Sequence, residues 1–204
     1  MLKQTFIELI ANYSKDVALA NELWNDIDLH YSSKNRYYHT LNHLENLLNQ
    51  LLEVKNEIKD WNCILFTLYY HDIIYKATKS DNEDKSADFA KKIMIKLSVA
   101  KSIIDNCKSQ ILATKKHLFN LDLDINYFID ADLSILGQDW DLYSSYYKNV
   151  RKEYSIYPDL LYNPGRKKVL KYFLAMEKIF KTDYFYQKFE SNARKNLKKE
   201  YDLL

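Results

Sequence analysis

The sequence predicts an all-α protein, and three observations predict it. Only two glycines and two prolines occur in 204 residues. A β-sandwich, a P-loop or a dinucleotide-binding loop needs more glycine at its turns than this chain carries. Apolar residues recur at the 3.6-residue period in one segment after another. Asp60 and the pair Ser80 and Glu83 stand where helix caps belong.

About nine helices are expected. The first covers roughly residues 2–13, with Phe6, Leu9 and Ile10 inward. The second, roughly 15–30, turns Val17, Leu19, Ala20, Leu23, Trp24 and Ile27 inward. A polar loop at Ser32–Arg36 leads to a helix over about 40–57, with the stripe Leu44, Leu47, Leu48 and Leu51. Asp60 starts a helix over about 60–76. Ser80 and Glu83 have capping-box spacing for one at about 82–97, with the stripe Ala87, Ala90, Met94 and Leu97. The next, about 99–117, aligns Ile103, Cys107, Ile111 and Thr114. A short helix near 125–136 ends at Gly137, placed as a C′ residue. Helices near 139–155, 165–181 and 184–201 follow, with Pro158 and Pro164-Gly165 punctuating the gap between the first two.

At 204 residues and 47% hydrophobic, the chain has enough apolar side chains for one core. A single domain over residues 1–204 is expected, with N-terminal helices over 1–30 and the core and C-terminal helices over 36–201. Thirty basic residues against 28 acidic ones leave a net charge of +2, which makes no electrostatic case for a nucleic-acid polymer or an anionic membrane as partner. Glu8 interrupts the short N-terminal apolar run, and no apolar stretch approaches the ~20 residues that span a bilayer, so a cytoplasmic location is expected. Cys63 and Cys107 lie in apolar helical contexts, as reduced core thiols do. G-x-S-x-G, H-E-x-x-H and C-x-x-C are all absent. The eighteen tyrosines are spread over every segment and suit the edges of a core better than a base-stacking platform.

The chemistry gathers around His71-Asp72. The stripe Trp61, Ile64, Leu65 and Leu68 extends at helical spacing onto this pair and then Tyr75. A carboxylate carried into a core must be neutralised, paired or bound to a metal. His43 stands one turn before Leu47, and His39 one turn before His43, so both are expected on a helix flank leading inward. In the later segment, Ile125, Phe128, Ile129, Leu133 and Leu136 make the apolar face and Asp132 falls within it. Asp130 instead aligns with Asn126 and Ser134 and is expected outside. Two imidazoles and two carboxylates on inner faces suit a divalent cation.

The order His43, His71-Asp72, Asp132 resembles the H…HD…D pattern of the HD-domain superfamily of metal-dependent phosphohydrolases. It is more closely similar to a family of small HD-type phosphohydrolases, on the segments Arg36–His43, His71-Asp72, Asn82–Ala87, Thr114–His117, Asp130–Gly137, Val150–Tyr154 and Ala193–Leu197. The likeness runs from about residue 30 onward. It implies an HD-type helical bundle that hydrolyses a small phosphate ester or nucleotide with a metal-activated water. His43, His71, Asp72 and Asp132 would hold the cation, with His39 the alternative first ligand. His43 is favoured because the apolar helix runs on directly from it. Asp72 and Glu83 are expected in catalysis, and His39, His117, Arg151 and Lys115 at the phosphate or a second metal. Glu83 serves equally as a capping residue, and Arg151 equally as a surface one. The cofactor is one or two divalent ions of Mn, Fe, Co, Ni, Zn or Mg; the mixed N and O donors favour the first five over Mg. Two other functions suit the same residues: a di-iron oxygenase, and a non-catalytic helical sensor or partner-binding protein that keeps the metal for stability.

Overall fold

A computed structural model describes residues 1–204, and every regular element in it is helical. Ten α-helices form: α1 (Leu2–Ala11), α2 (Val17–Tyr31), α3 (Leu41–Glu53), α4 (Trp61–Tyr70), α5 (Asn82–Lys96), α6 (Lys101–Ala113), α7 (Leu123–Leu133), α8 (Trp140–Glu153), α9 (Asp159–Leu174) and α10 (Asp183–Leu203). The total is ten where about nine were expected; the spans read from the sequence themselves number ten, and each has its helix. Two 3-10 turns, Lys55–Glu57 and Ser134–Gly137, follow α3 and α7. No helix is long and apolar enough to cross a membrane.

The chain divides into two compact units, Met1–Phe128 and Ile129–Leu204, with the division inside the continuous helix α7. In the first unit α4 is the central element and packs against α1, α3, α5 and α6. Every residue from Cys63 to Tyr70 is buried, so α4 is enclosed all round rather than along one stripe. Asp60 caps it as expected, its carboxylate accepting from Cys63 N at 2.9 Å. Asp124, at the start of α7, accepts from the backbone N–H groups of Lys59 and Asp60, both at 2.9 Å. The beginnings of α4 and α7 are thereby tied together. Phe6, Trp24 and Tyr69 form an aromatic cluster where α1 and α2 meet α4, with Phe6 and Tyr69 edge-on at 4.8 Å. Both cysteines are buried and free, and burial pushes the Cys107 thiol up to about 12.

In the second unit α10 packs against α9 and the Ser134–Gly137 turn, and α8 against the same turn. Arg166 of α9 and Glu200 of α10 make a buried two-pronged ion pair at 2.7 and 2.9 Å, and the Tyr143 hydroxyl of α8 also donates to Glu200.

Several local expectations need correction. Val17 is exposed, because it is the first residue of α2 and sits beyond the helix face that packs. Ser80 caps nothing: α5 begins at Asn82 with Asp81 at its N-cap. Asn82 is instead bound to the backbone of Lys76. Pro164 and Gly165 lie inside α9, which starts just after Pro158. Their positions are exposed, so the hydrogen bond that proline forfeits leaves a carbonyl to water rather than to the core. Gly137 does not adopt a left-handed conformation. It is needed for close approach: a Cβ there would lie 2.7 Å from the Phe189 carbonyl oxygen and 2.9 Å from Phe189 Cα on α10. Gly137→Ala is expected to lower the unfolding free energy by about 1–3 kcal/mol in urea denaturation, the range for overpacking a tight interface.

Candidate metal centre

His71 is the C-cap of α4, its N–H bonded to Thr67 O at 2.8 Å. The helix stops here, not at 76 as expected, because the following backbone has other partners. Arg36 donates to the carbonyls of Asp72 and Ile73, and the Ser86 hydroxyl of α5 joins both the N–H and the carbonyl of Ile74. Two consecutive β-branched isoleucines add little helix propensity to resist this. Asp72 therefore leaves the helix axis and folds back, with its Oδ2 3.3 Å from His71 Nε2 and 3.8 Å from His39 Nε2.

His43 stands in the first turn of α3 and is buried. Its Nε2 lies 3.2 Å from His71 Nε2. The His71 ring is oriented by its other nitrogen, Nδ1, 3.0 Å from Leu68 O. A carbonyl only accepts, so Nδ1 is the protonated nitrogen in that contact, and Nε2 is the nitrogen turned toward His43 and Asp72. His39 precedes α3 and is not part of it, so the helical flank expected to join it to His43 does not exist. It reaches the same place by packing: its ring stacks on Tyr75 at 4.1 Å, with the Tyr38 ring 5.0 Å from both His39 and His43.

The third element is α7. Anchored by Asp124, it brings the Phe128 ring to 5.4 Å from the His71 ring. One turn further along the same helix, Asp132 completes a group with His43 and His71 whose ligand atoms all lie within 4.8 Å of one another. Both histidines are buried and Asp132 is half-buried. This His-His-Asp group can hold a metal ion, and its donors suit one. At metal–nitrogen distances of about 2.0–2.1 Å, tetrahedral ligation sets neighbouring donor atoms about 3.3 Å apart, close to the 3.2 Å between the two Nε2 atoms. Burial by itself raises the Asp72 carboxyl, but the facing His71 imidazole, with His39 and His43, holds it well below the usual carboxylate range.

Asp130 is the clear correction. It was expected outside, yet it is fully buried. Its carboxylate accepts from the N–H of Lys181 at 2.7 and 2.9 Å, and from the N–H and hydroxyl of Thr182, both at 2.7 Å. It thus secures the N-terminus of α10, and burial pushes its pKa up to about 6 against those donors. Asn126 and Ser134, its partners in the supposed polar face, are buried as well.

The other expected site residues stand outside the His-His-Asp group. Glu83 lies 3.9 Å from Lys115, whose amine is bonded to Asp84 at 3.0 Å. His117 lies past the end of α6 in a left-handed conformation, φ 51°. Arg151 belongs to the second unit, where its guanidinium is committed to Asp159 and to the carbonyls of Tyr154 and Tyr157. Arg36 and Asp124 were given no role from the sequence. Asp124 had a legible signal, since an acid in the first turn of a helix seeks backbone N–H groups. Arg36 appeared in the sequence as a basic residue in a polar loop and as the first residue of the Arg36–His43 segment, with no function attached to it. Comparison with known proteins gives no match to a family model, to a curated protein or to a solved structure.

The two aspartates of α7 are expected to separate in urea denaturation of metal-free protein. Asp130→Ala should cost about 2–4 kcal/mol, because buried donors lose their acceptor. Asp132→Ala, at a half-buried position, should cost less than about 1 kcal/mol.

Proposed function

We propose that the protein is a metal-dependent phosphohydrolase acting on a small phosphate ester or nucleotide. The observation that carries this reading is the 3.2 Å approach of two buried imidazole nitrogens, with the Asp132 carboxylate beside them. The resemblance of His43, His71-Asp72 and Asp132 to the H…HD…D pattern supplies the reaction class. His43, His71 and Asp132 would hold the cation, with Asp72 as a further ligand. A divalent cation supplies a water acidified from pKa ~15.7 toward ~7–9 and offsets charge on phosphoryl oxygens.

The remaining work falls to the chain itself. Asp72 stays ionised beside His71 and is available to orient, or accept a proton from, an attacking water. His39, half-buried and 3.8 Å from that carboxylate, can donate to it or to a phosphate oxygen. Tyr38 and Tyr75 wall the imidazoles and limit solvent around them. The reaction is hydrolysis: the water oxygen bonds to phosphorus, the ester P–O bond breaks, and the departing oxygen takes up a proton.

A panel of nucleotides and sugar phosphates, supplemented in turn with Mn²⁺, Co²⁺, Ni²⁺, Zn²⁺ and Mg²⁺, tests this. Release of inorganic phosphate by wild type, lost by more than about a hundredfold in His71→Ala, is the expected outcome. Metal binding without turnover across the panel would instead leave a metal-stabilised, non-catalytic protein.

A further inference from the structure

We infer that Arg36 is the positioning residue of the metal centre, fixing where Asp72 and His39 stand relative to His71. The inference rests on the metal-binding reading above. Arg36 is buried, at 8% exposure, although it lies in the loop between α2 and α3. One guanidinium nitrogen, Nη1, donates to the carbonyls of Asp72 at 2.7 Å and His39 at 3.2 Å, and Nη2 donates to the carbonyl of Ile73 at 2.9 Å. The planar cation also lies over the rings of Tyr31, at 4.7 Å, and Tyr75, at 5.5 Å.

The three hydrogen bonds and the Tyr75 contact lead to the cluster. The carbonyls of Asp72 and Ile73 come just after the end of α4, where backbone acceptors have no helical partner and a positive charge is favourable. Gripping them turns the chain so that the Asp72 carboxylate faces His71 and His39 rather than continuing a helix. The bond to the His39 carbonyl ties in the segment that enters α3. The Tyr75 ring beneath the guanidinium is the ring on which the His39 imidazole stacks. One rigid fork thus joins the segment that carries Asp72 and Tyr75 to the segment that carries His39. A lysine offers one compact ammonium in place of that fork and cannot hold all three carbonyls in their observed directions.

The test is a double-mutant cycle on Mn²⁺ affinity, measured by calorimetry on the full chain with Arg36→Met, Arg36→Lys, Asp72→Asn and the Arg36→Met/Asp72→Asn pair. Circular dichroism and urea unfolding report whether each variant folds. Arg36→Met is expected to weaken Mn²⁺ binding by about ten- to a hundredfold, with Arg36→Lys between it and wild type. Asp72→Asn added to Arg36→Met should weaken binding little further, because both act through one carboxylate. If Arg36→Met does not fold, Arg36→Lys takes its place in the cycle. Wild-type affinity in the arginine variants, or losses that multiply in full with Asp72→Asn, would overturn the positioning role while leaving the metal centre intact. Failure of wild type itself to bind Mn²⁺ would overturn both.

Discussion

Two buried imidazole nitrogens 3.2 Å apart form the contact around which the first unit is arranged. Holding them there takes several independent restraints. The Leu68 carbonyl sets the His71 ring, and the first turn of α3 presents His43. Both rings are buried, His71 at the end of the enclosed helix α4. The two Nε2 atoms stand at hydrogen-bonding distance from each other. A cation between the rings would draw on a lone pair from each, so the same spacing suits a pair of metal ligands.

The aspartates around this contact divide by the donors they meet. Asp60, Asp124 and Asp130 accept backbone N–H groups and secure helix starts: Asp60 and Asp124 at α4, Asp130 at α10. Asp72 faces imidazoles, and Asp132 joins the His-His-Asp group while half-exposed. The first set spends its acceptor capacity on the fold. The second stands at the imidazoles of the candidate metal centre. A carboxylate bound to backbone donors contributes to stability directly. One left without such donors is costly to bury.

Much of this was legible in the sequence. The stripes of α1, α3, α5 and α7 predicted their buried residues, and Asp60 its cap, because period and capping are local properties. His43, His71 and Asp132 were placed inward by the same periodicity. What escaped was set by distant chain. Nothing within α4 ends it at Tyr70; Arg36 and Ser86 do, by taking the backbone that follows. Gly137 answers to Phe189 on another helix rather than to its own turn. Asp130 was misread because helical projection separates polar from apolar faces, not exposed from buried ones. A polar row enclosed on both flanks, as Asn126, Asp130 and Ser134 are, is invisible to it.

Anomalous diffraction from crystals grown with Mn²⁺ tests the central claim most directly. The account predicts one strong peak within about 2.0–2.3 Å of His43 Nε2, His71 Nε2 and an Asp132 oxygen. Crystals that bind Mn²⁺ only elsewhere, with His43 and His71 still hydrogen-bonded to each other, would contradict it.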